Sequence, residues 1–168
     1  MRRSLRPRVT VVAIQLIPGS GQAPVAVSAV IALAGRGLEG DYNCKPKPVT
    51  GEGRAAEKAR GEHMTLIDEG AIAHVVALGI PFSHTASRRN VLTRDVDLDA
   101  FIGKNFWVGA VACRGVEPCH PCRHLEKHTR PGVLAALVER GGLRVEFLGG
   151  GVIREGDAIS ETRPRGPR

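Results

Sequence analysis

Apolar and polar residues alternate over short stretches along most of the chain, which is the pattern of β-strands. Apolar and β-branched residues fill Val9–Ile17 and Val25–Leu33, and a Pro-Gly-Ser-Gly segment separates the two runs. Such punctuation is typical of strand connections, so the two runs are predicted to pair as a hairpin with an irregular turn. Six further strands are predicted: Met64–Ile67, Asn90–Thr93, Phe106–Val108, Val111–Arg114, Leu143–Leu148 and Val152–Ile159.

Fewer segments have the residue spacing of helices. Asp68 is placed to N-cap a helix from Glu69 to about Leu78, and Gly79 follows as the terminating residue. Three shorter helical segments are predicted: Leu98–Ile102, Pro121 to about Lys127, and Gly132–Arg140.

Two segments between these elements lack a regular pattern. Gly35–Asp41 is too rich in glycine for a strand or helix, and Asn43–Gly61, rich in Lys, Gly and Pro, is predicted to be a mobile loop. Short strands with scattered helices favour a mainly β domain with helical insertions, of the α+β type, over a doubly wound α/β fold. One barrel-like domain is predicted over residues 9–161.

The formal net charge of +7 comes from the two ends of the chain. Residues 1–8 and 162–168 hold seven arginines and no acidic residue, and the rest contains 17 basic and 17 acidic residues. Such ends are predicted to be solvated, disordered tails. With one Trp, one Tyr and four Phe there is also little material for stacking bases, so nucleic acid is not the expected partner.

A membrane location is not predicted either. No stretch reaches the roughly 18 consecutive apolar residues that a membrane-spanning helix needs. The basic start of the chain is followed by a strand-like run without the small-residue cleavage site of a signal peptide. We therefore expect a cytoplasmic protein.

The densest chemistry lies in Glu117–Glu126, where Cys119 and Cys122 stand three positions apart. A lasting disulfide is not expected in a reducing compartment, which leaves metal binding, thiol chemistry or packing. A helix beginning near Pro121 places Cys122 in its first turn, where unpaired backbone N–H groups and nearby basic side chains favour the thiolate. The thiolate attacks sulfur or carbon, carries a persulfide, or binds a soft metal.

A structural zinc site is the alternative interpretation of this segment. Cys119, Cys122, His124 and His128 can be combined into four ligands, and the two histidines share one helical face. Their spacing is tighter than the usual arrangement of two separated ligand pairs. Packing, loop or surface positions without a further role are predicted for the other thiols and for three histidines: Cys44, Cys113, His63, His74 and His84.

Two further polar clusters have the composition of ligand sites. Arg88, Arg89 and Asn90 directly precede a predicted strand, and paired guanidinium groups with an amide suit a phosphate or carboxylate. In Gly37–Asp41 the glycines permit close approach of the backbone to a ligand, and Asp41 can accept hydrogen bonds from a heterocycle. A solvated surface and a tight turn are the simpler interpretations of the two clusters.

The order of these motifs resembles that of the MOSC domain family, the stand-alone relatives of the C-terminal domain of molybdenum cofactor sulfurase. The resemblance extends from about Val9 to Ile159. It implies a β-barrel-like fold and a cysteine that either carries sulfur as a persulfide or binds the molybdenum of a pterin cofactor. It rests on six segments: Gly37–Asp41, Thr65–Asp68, Arg88–Val91 through Leu98, Gly103 to Gly109, Cys119–Cys122 and Gly149–Asp157.

The resemblance also implies roles for single residues. The family cysteine follows a proline and precedes a short helix, which matches Cys122 best and Cys119 second, so these are the predicted catalytic residues, with Cys122 the molybdenum ligand. A His-Gly-Gly motif that some branches carry after the Gly-Asp loop is absent here. The residues predicted to hold the cofactor or an anionic substrate are Arg88, Arg89, Asn90 and Asp41.

The sequence thus predicts a sulfur-transfer or molybdenum-pterin enzyme whose functional centre is one reactive thiol. Its predicted partners are a small anionic ligand and a sulfur donor protein or a reductase. The alternative is a non-enzymatic binding module in which the Cys/His cluster holds zinc.

Overall fold

The computed structural model describes residues 10–165, so the predicted tail at 1–8 and residues 166–168 lie outside it. In the described part, eleven short strands and five short helices confirm the mainly β prediction. The strands are β1 (Thr10–Leu16), β2 (Val25–Val27), β3 (Ala29–Leu33), β4 (Gly37–Leu38), β5 (Met64–Asp68), β6 (Val91–Arg94), β7 (Asn105–Val108), β8 (Val111–Pro118), β9 (Leu143–Phe147), β10 (Gly151–Arg154) and β11 (Ile159–Ser160). The helices are α1 (Arg54–Arg60), α2 (Glu69–Ala77), α3 (His84–Ser87), α4 (Arg123–Lys127) and α5 (Val133–Ala136), with a 3₁₀ turn at Leu98–Phe101.

Eight strands form one curled sheet in the order β11-β7-β8-β9-β5-β6-β1-β2, and β10-β3-β4 form a second sheet. Within the large sheet β5 and β6 are parallel, whereas the other neighbours are antiparallel. A bridge between Thr10 and Ala158, with the Val11 N–H donating to the Asp157 carbonyl at 2.9 Å, brings the segment before β11 against β1. The large sheet is therefore curled into a half-barrel, which confirms the predicted barrel-like fold.

The predicted hairpin is only partly present. β2 pairs with β1, with Ile14 opposite Val27, but the chain bends at Ser28 and the rest of the run leaves as β3. β3 pairs with β10 in the second sheet, where Val30 is buried and Ile31 is exposed. One long strand over Val25–Leu33 was therefore a wrong prediction, because the two halves of the run have partners in different sheets.

The segment predicted as a mobile loop contains helix α1. None of its side chains is buried, so the helix has no apolar face to give a sequence signal. Ion pairs attach it to the sheet instead: Arg114 on β8 lies 2.7 Å from Glu57 and 3.2 Å from Glu146 on β9, and Arg60 lies 3.7 Å from Glu146.

Two apolar clusters stabilise the domain. The larger one fills the curled sheet with side chains such as Leu66, Phe106 and Val145. The smaller one lies between the sheet and α2, α4 and α5, where Leu125 and Val133 pack together. Asp68 is the N-cap of α2, as predicted, because its carboxylate accepts a hydrogen bond from the Gly70 N–H at 3.1 Å.

Candidate functional site

An open cleft of about 160 Å³ lies where several strand ends and loops meet. Its walls come from the chain after β1, the Gly-Asp loop after β4, the α3–β6 connection, β5, β9, and the segment from β8 into α4. The structure thus brings together residues that are as much as 127 positions apart, from Ile17 to Arg144. All six residues predicted for the site line this cleft: Asp41, Arg88, Arg89, Asn90, Cys119 and Cys122.

Cys122 is an exposed free thiol at the start of α4. It is the N-cap residue, with extended backbone angles, so it precedes the first helical turn in which it was predicted to lie. Leu125, three residues later, is buried in the smaller apolar cluster and fixes the helix against the sheet. The thiol is therefore carried at the edge of a packed element and faces an open cleft.

Cys119, in contrast, is only 2% exposed. Its N–H donates to the Gly142 carbonyl at 2.8 Å, and its carbonyl accepts a hydrogen bond from Arg89 at 3.3 Å. Gly141 lies directly beneath, since a Cβ there would come within 2.1 Å of the Cys119 oxygen. Of the two predicted catalytic cysteines, Cys122 alone is open to a reagent from solution.

Asp41 and Asn90 form a buried pair that joins the walls of the cleft. The Asp41 carboxylate accepts hydrogen bonds from the Ile17 N–H at 2.9 Å, the Asn43 N–H at 3.0 Å and the Asn90 amide at 3.0 Å. The Asn90 oxygen accepts from both the N–H and the hydroxyl of Thr65, at 3.0 and 3.1 Å. These polar atoms already have partners inside the fold; their predicted contact with a ligand stays a prediction.

The two consecutive arginines have different surroundings. Arg89 donates to three carbonyl oxygens, those of Gly141 at 2.9 Å, Ser87 at 3.3 Å and Cys119 at 3.3 Å. Arg88 donates once, to the Gln22 carbonyl at 2.7 Å, near solvent. Within residues 10–165 neither guanidinium has a carboxylate within 4 Å. Both leave uncompensated positive charge at the cleft.

Thr65 begins one of the segments that carry the family resemblance, whereas the lining residues Tyr42 and Arg144 were not singled out from the sequence. Thr65 and Arg144 lie on neighbouring strands and face each other in the β5–β9 register. Tyr42 is 48% exposed at the rim. No local motif marks Arg144, because it is the long-range strand pairing that brings this residue to the cleft.

The remaining thiols and histidines differ in their burial. Cys113 is fully buried, as its predicted packing role requires, and burial raises the pKa of its thiol. Cys44 is a half-buried loop thiol. His63 is not a surface residue, since it is 2% exposed and accepts a hydrogen bond from the Phe147 N–H through Nδ1. Its Nε2 has no hydrogen-bond partner among residues 10–165. His84 is half-buried, and burial lowers its pKa.

The side chains do not offer a structural zinc site in the part of the chain that is described. Across residues 10–165 no three His, Cys, Asp or Glu side chains converge in a way that could hold a metal ion. Because a structural zinc site needs four protein ligands, the zinc-binding alternative finds no ligand set here. The helices of the same part are too short or too polar to cross a membrane.

Three solved structures of bacterial proteins illustrate the similarity of fold. The YuaD protein from Bacillus subtilis superposes with a TM-score of 0.73 at 13% identity, covering 90% of this chain and 93% of that one. YiiM from Geobacillus stearothermophilus superposes with a TM-score of 0.65 at 16% identity, covering 90% of this chain and 74% of that one. YiiM from Escherichia coli superposes with a TM-score of 0.60 at 17% identity, covering 91% of this chain and 67% of that one. At these identities the similarity establishes the fold alone.

Comparison of the sequence itself supplies the family. No curated protein matches it. The family model described as "MOSC domain" matches residues 55–160, which include every strand from β5 to β11 and the cleft residues from Thr65 to Arg144. Since this match covers more than half of the 168 residues, the chain belongs to the MOSC domain family.

Proposed function

We propose that this protein binds a molybdenum-pterin cofactor in the cleft and that Cys122 is the protein ligand of the metal. The observation that carries the proposal is a single exposed thiol in a cleft that Arg88 and Arg89 also line, neither of which has a carboxylate partner among the described residues. A metal that arrives with its own organic ligands needs only one soft donor from the protein. This donor set fits such a cofactor, whereas it does not fit zinc.

Each part of the cleft has a task in this proposal. Cys122 releases its proton to solvent and donates its thiolate to the metal, while the arginine side chains attract the anionic end of the cofactor. The Asp41–Asn90 pair keeps the Gly-Asp loop and the α3–β6 connection at a fixed separation. When bound, the cofactor supplies the redox chemistry. A cytoplasmic, reducing location, which we also propose, keeps the thiol free.

A sulfur-carrier role is the second candidate, and the exposure of Cys122 supports it because a donor protein can reach this sulfur. The Cys122 thiolate would attack the outer sulfur of a donor persulfide. A new S–S bond forms as the donor's S–S bond breaks, and the donor cysteine leaves as a thiolate that takes up the proton lost by Cys122. Burial of Cys119 keeps a neighbouring thiol from releasing that sulfur at once.

Metal and sulfur analysis of matched cysteine variants tests both candidates. The protein is expressed in a host that makes the cofactor, purified without oxygen, and assayed for molybdenum and for sulfur that cyanide converts to thiocyanate. We expect about one molybdenum per chain in the wild type and in Cys44→Ser, and none in Cys122→Ser.

The outcomes separate the candidates. If the wild type contained no molybdenum but released thiocyanate, and Cys122→Ser released none, sulfur transfer would be the function and cofactor binding would be refuted. Equal molybdenum in Cys122→Ser and wild type would refute the assignment of the ligand. If neither molybdenum nor labile sulfur depends on Cys122, both candidates fail.

A further inference from the structure

Arg144 is the arginine of the cleft with the weakest internal contacts. Its Nε lies 3.8 Å from the Glu117 carboxylate, which is beyond hydrogen-bonding distance and leaves only a charge interaction. Its terminal nitrogens make no hydrogen bond with any residue between 10 and 165. Arg89, by comparison, donates to three carbonyl oxygens. Arg144 therefore has the most donor capacity left for a ligand.

Strand register places Arg144 between the cleft and a neighbouring hollow. On β9 it is opposite Thr65 of β5 and opposite Glu117 of β8. Residues opposite each other on antiparallel strands project to the same side of a sheet. Thr65 lines the cleft, Glu117 lines an open hollow of about 890 Å³ beside α1, and Arg144 lines both. The guanidinium group thus has a carboxylate on one side and the cleft on the other.

The cleft itself has no carboxylate to spare for Arg144. Asp41 is the acidic residue among its lining residues, and hydrogen bonds from Ile17, Asn43 and Asn90 already engage its two oxygens. Among the described residues three arginines therefore face a volume lined by one carboxylate, whose oxygens already have partners, so the lining keeps an excess of positive charge. Glu117, 52% exposed by its side chain, is held only loosely and can leave without breaking a hydrogen bond.

We propose that Arg144 and Arg88 form a subsite for a phosphate-type oxyanion beside Cys122, and that Glu117 partners Arg144 until such a ligand displaces it. The proposal deepens the proposed function, on which it rests for the use of Cys122. A guanidinium group presents paired, planar donors to two oxygens, and a tetrahedral oxyanion has enough oxygens to engage two such groups at once. Glu117 makes the subsite selective, since a ligand must compete with a carboxylate already in place.

Calorimetric titration with inorganic phosphate at low salt tests the subsite. Arg144→Gln should weaken phosphate binding by about tenfold, the size of effect expected for one charged hydrogen-bonding group. Glu117→Gln should tighten it by about threefold, in line with the loss of one weak competing ion pair. The controls Arg154→Gln and Glu155→Gln make the same charge changes at exposed positions on or next to β10 and should bind like the wild type.

The result that overturns the proposal is equal phosphate affinity in Arg144→Gln and wild type, or no binding by either. If Glu117→Gln bound phosphate no more tightly than Glu155→Gln, the role of Glu117 as a competitor would be refuted. Arg144→Lys, which keeps the charge but not the paired donors, should fall between wild type and Arg144→Gln, and it replaces the Gln variant if that one fails to fold. Cys122→Ser should keep the wild-type phosphate affinity, so loss of molybdenum and sulfur chemistry would leave this subsite standing.

Discussion

Acidification should destabilise this protein strongly through His63. The side chain is 2% exposed, and its Nδ1 accepts a hydrogen bond from the Phe147 N–H at 3.0 Å. A protonated imidazole carries a hydrogen on both nitrogens, so it would turn this acceptor into a donor that opposes the Phe147 N–H. Burial, and next the positive charges of Lys45 and Arg60, lower the pKa of His63 from 6.5 to about 4.

The size and direction of the effect follow from this pKa. Above about pH 6.5 His63 is neutral in both the folded and the unfolded chain, and its full contribution to stability is present. Between pH 6.5 and 4 the unfolded chain binds a proton that the folded chain excludes, so the free energy of unfolding falls as the pH falls. A pKa difference of about 2.5 corresponds to roughly 3 kcal/mol lost by pH 4, where the folded state also begins to bind the proton.

Urea unfolding of wild type and His63→Asn at pH 7, 5.5 and 4 measures this contribution. Asparagine keeps an acceptor near the Nδ1 position but does not titrate, so the stability advantage of the wild type should shrink by about 3 kcal/mol from pH 7 to pH 4. The carboxylates and His84 are the same in both proteins, so their contributions to the pH dependence cancel in the difference between the two. A constant difference for His63→Asn would refute the reasoning.

Three further substitutions test contacts around the cleft. Asn90→Asp puts a second carboxylate about 3.0 Å from Asp41. Urea unfolding should show a loss of roughly 3 kcal/mol in the free energy of unfolding at pH 7 and a smaller loss at pH 4. An equal loss at both pH values would contradict this. Arg89→Gln should lower the free energy of unfolding by about 1–3 kcal/mol and alter the alkylation rate of Cys122, whereas Arg88→Gln should lower it far less. Equal losses would contradict the difference between the contacts of the two arginines. Glu57→Gln should speed limited trypsin digestion within α1, and high salt should do the same to the wild type; digestion indifferent to both would show that ion pairs do not hold α1.

Elements with local signals could be predicted from the sequence. The Asp68 cap and the alternating strand β9 each depend on residues close together in the chain, and both are present. Helix α1 could not be predicted in this way, because its partner Arg114 lies 57 residues from Glu57 and its own faces are polar. The division of Val25–Leu33 between two sheets depends likewise on the distant strands β1 and β10.

The same distinction between local and long-range signals applies to the residues of the candidate site. Residues within motifs, such as Cys122 and Asp41, could be proposed from the sequence because their neighbours in the chain give them a recognisable setting. Arg144 lies in an ordinary alternating strand and reaches the cleft only through its register with β5 and β8. The hydrogen bonds that engage Asn90 join it to Gln15, Asp41 and Thr65, none of them nearby in sequence. A motif therefore identifies which residues meet but not which polar atoms remain free.

Backbone conformation explains why Arg88 and Arg89 have different contacts although they are consecutive. Arg88 ends α3 in the left-handed region, with φ of 56°, a position usually taken by Gly or Asn because a larger side chain costs about 1 kcal/mol there. This turn directs Arg88 towards Gln22 and the solvent side of the cleft, while Arg89 reaches Gly141 and Cys119. Strain of this kind persists where the surroundings hold it, often at functional sites. An arginine kept at a position that favours glycine is consistent with a cation needed at the cleft rather than in the fold.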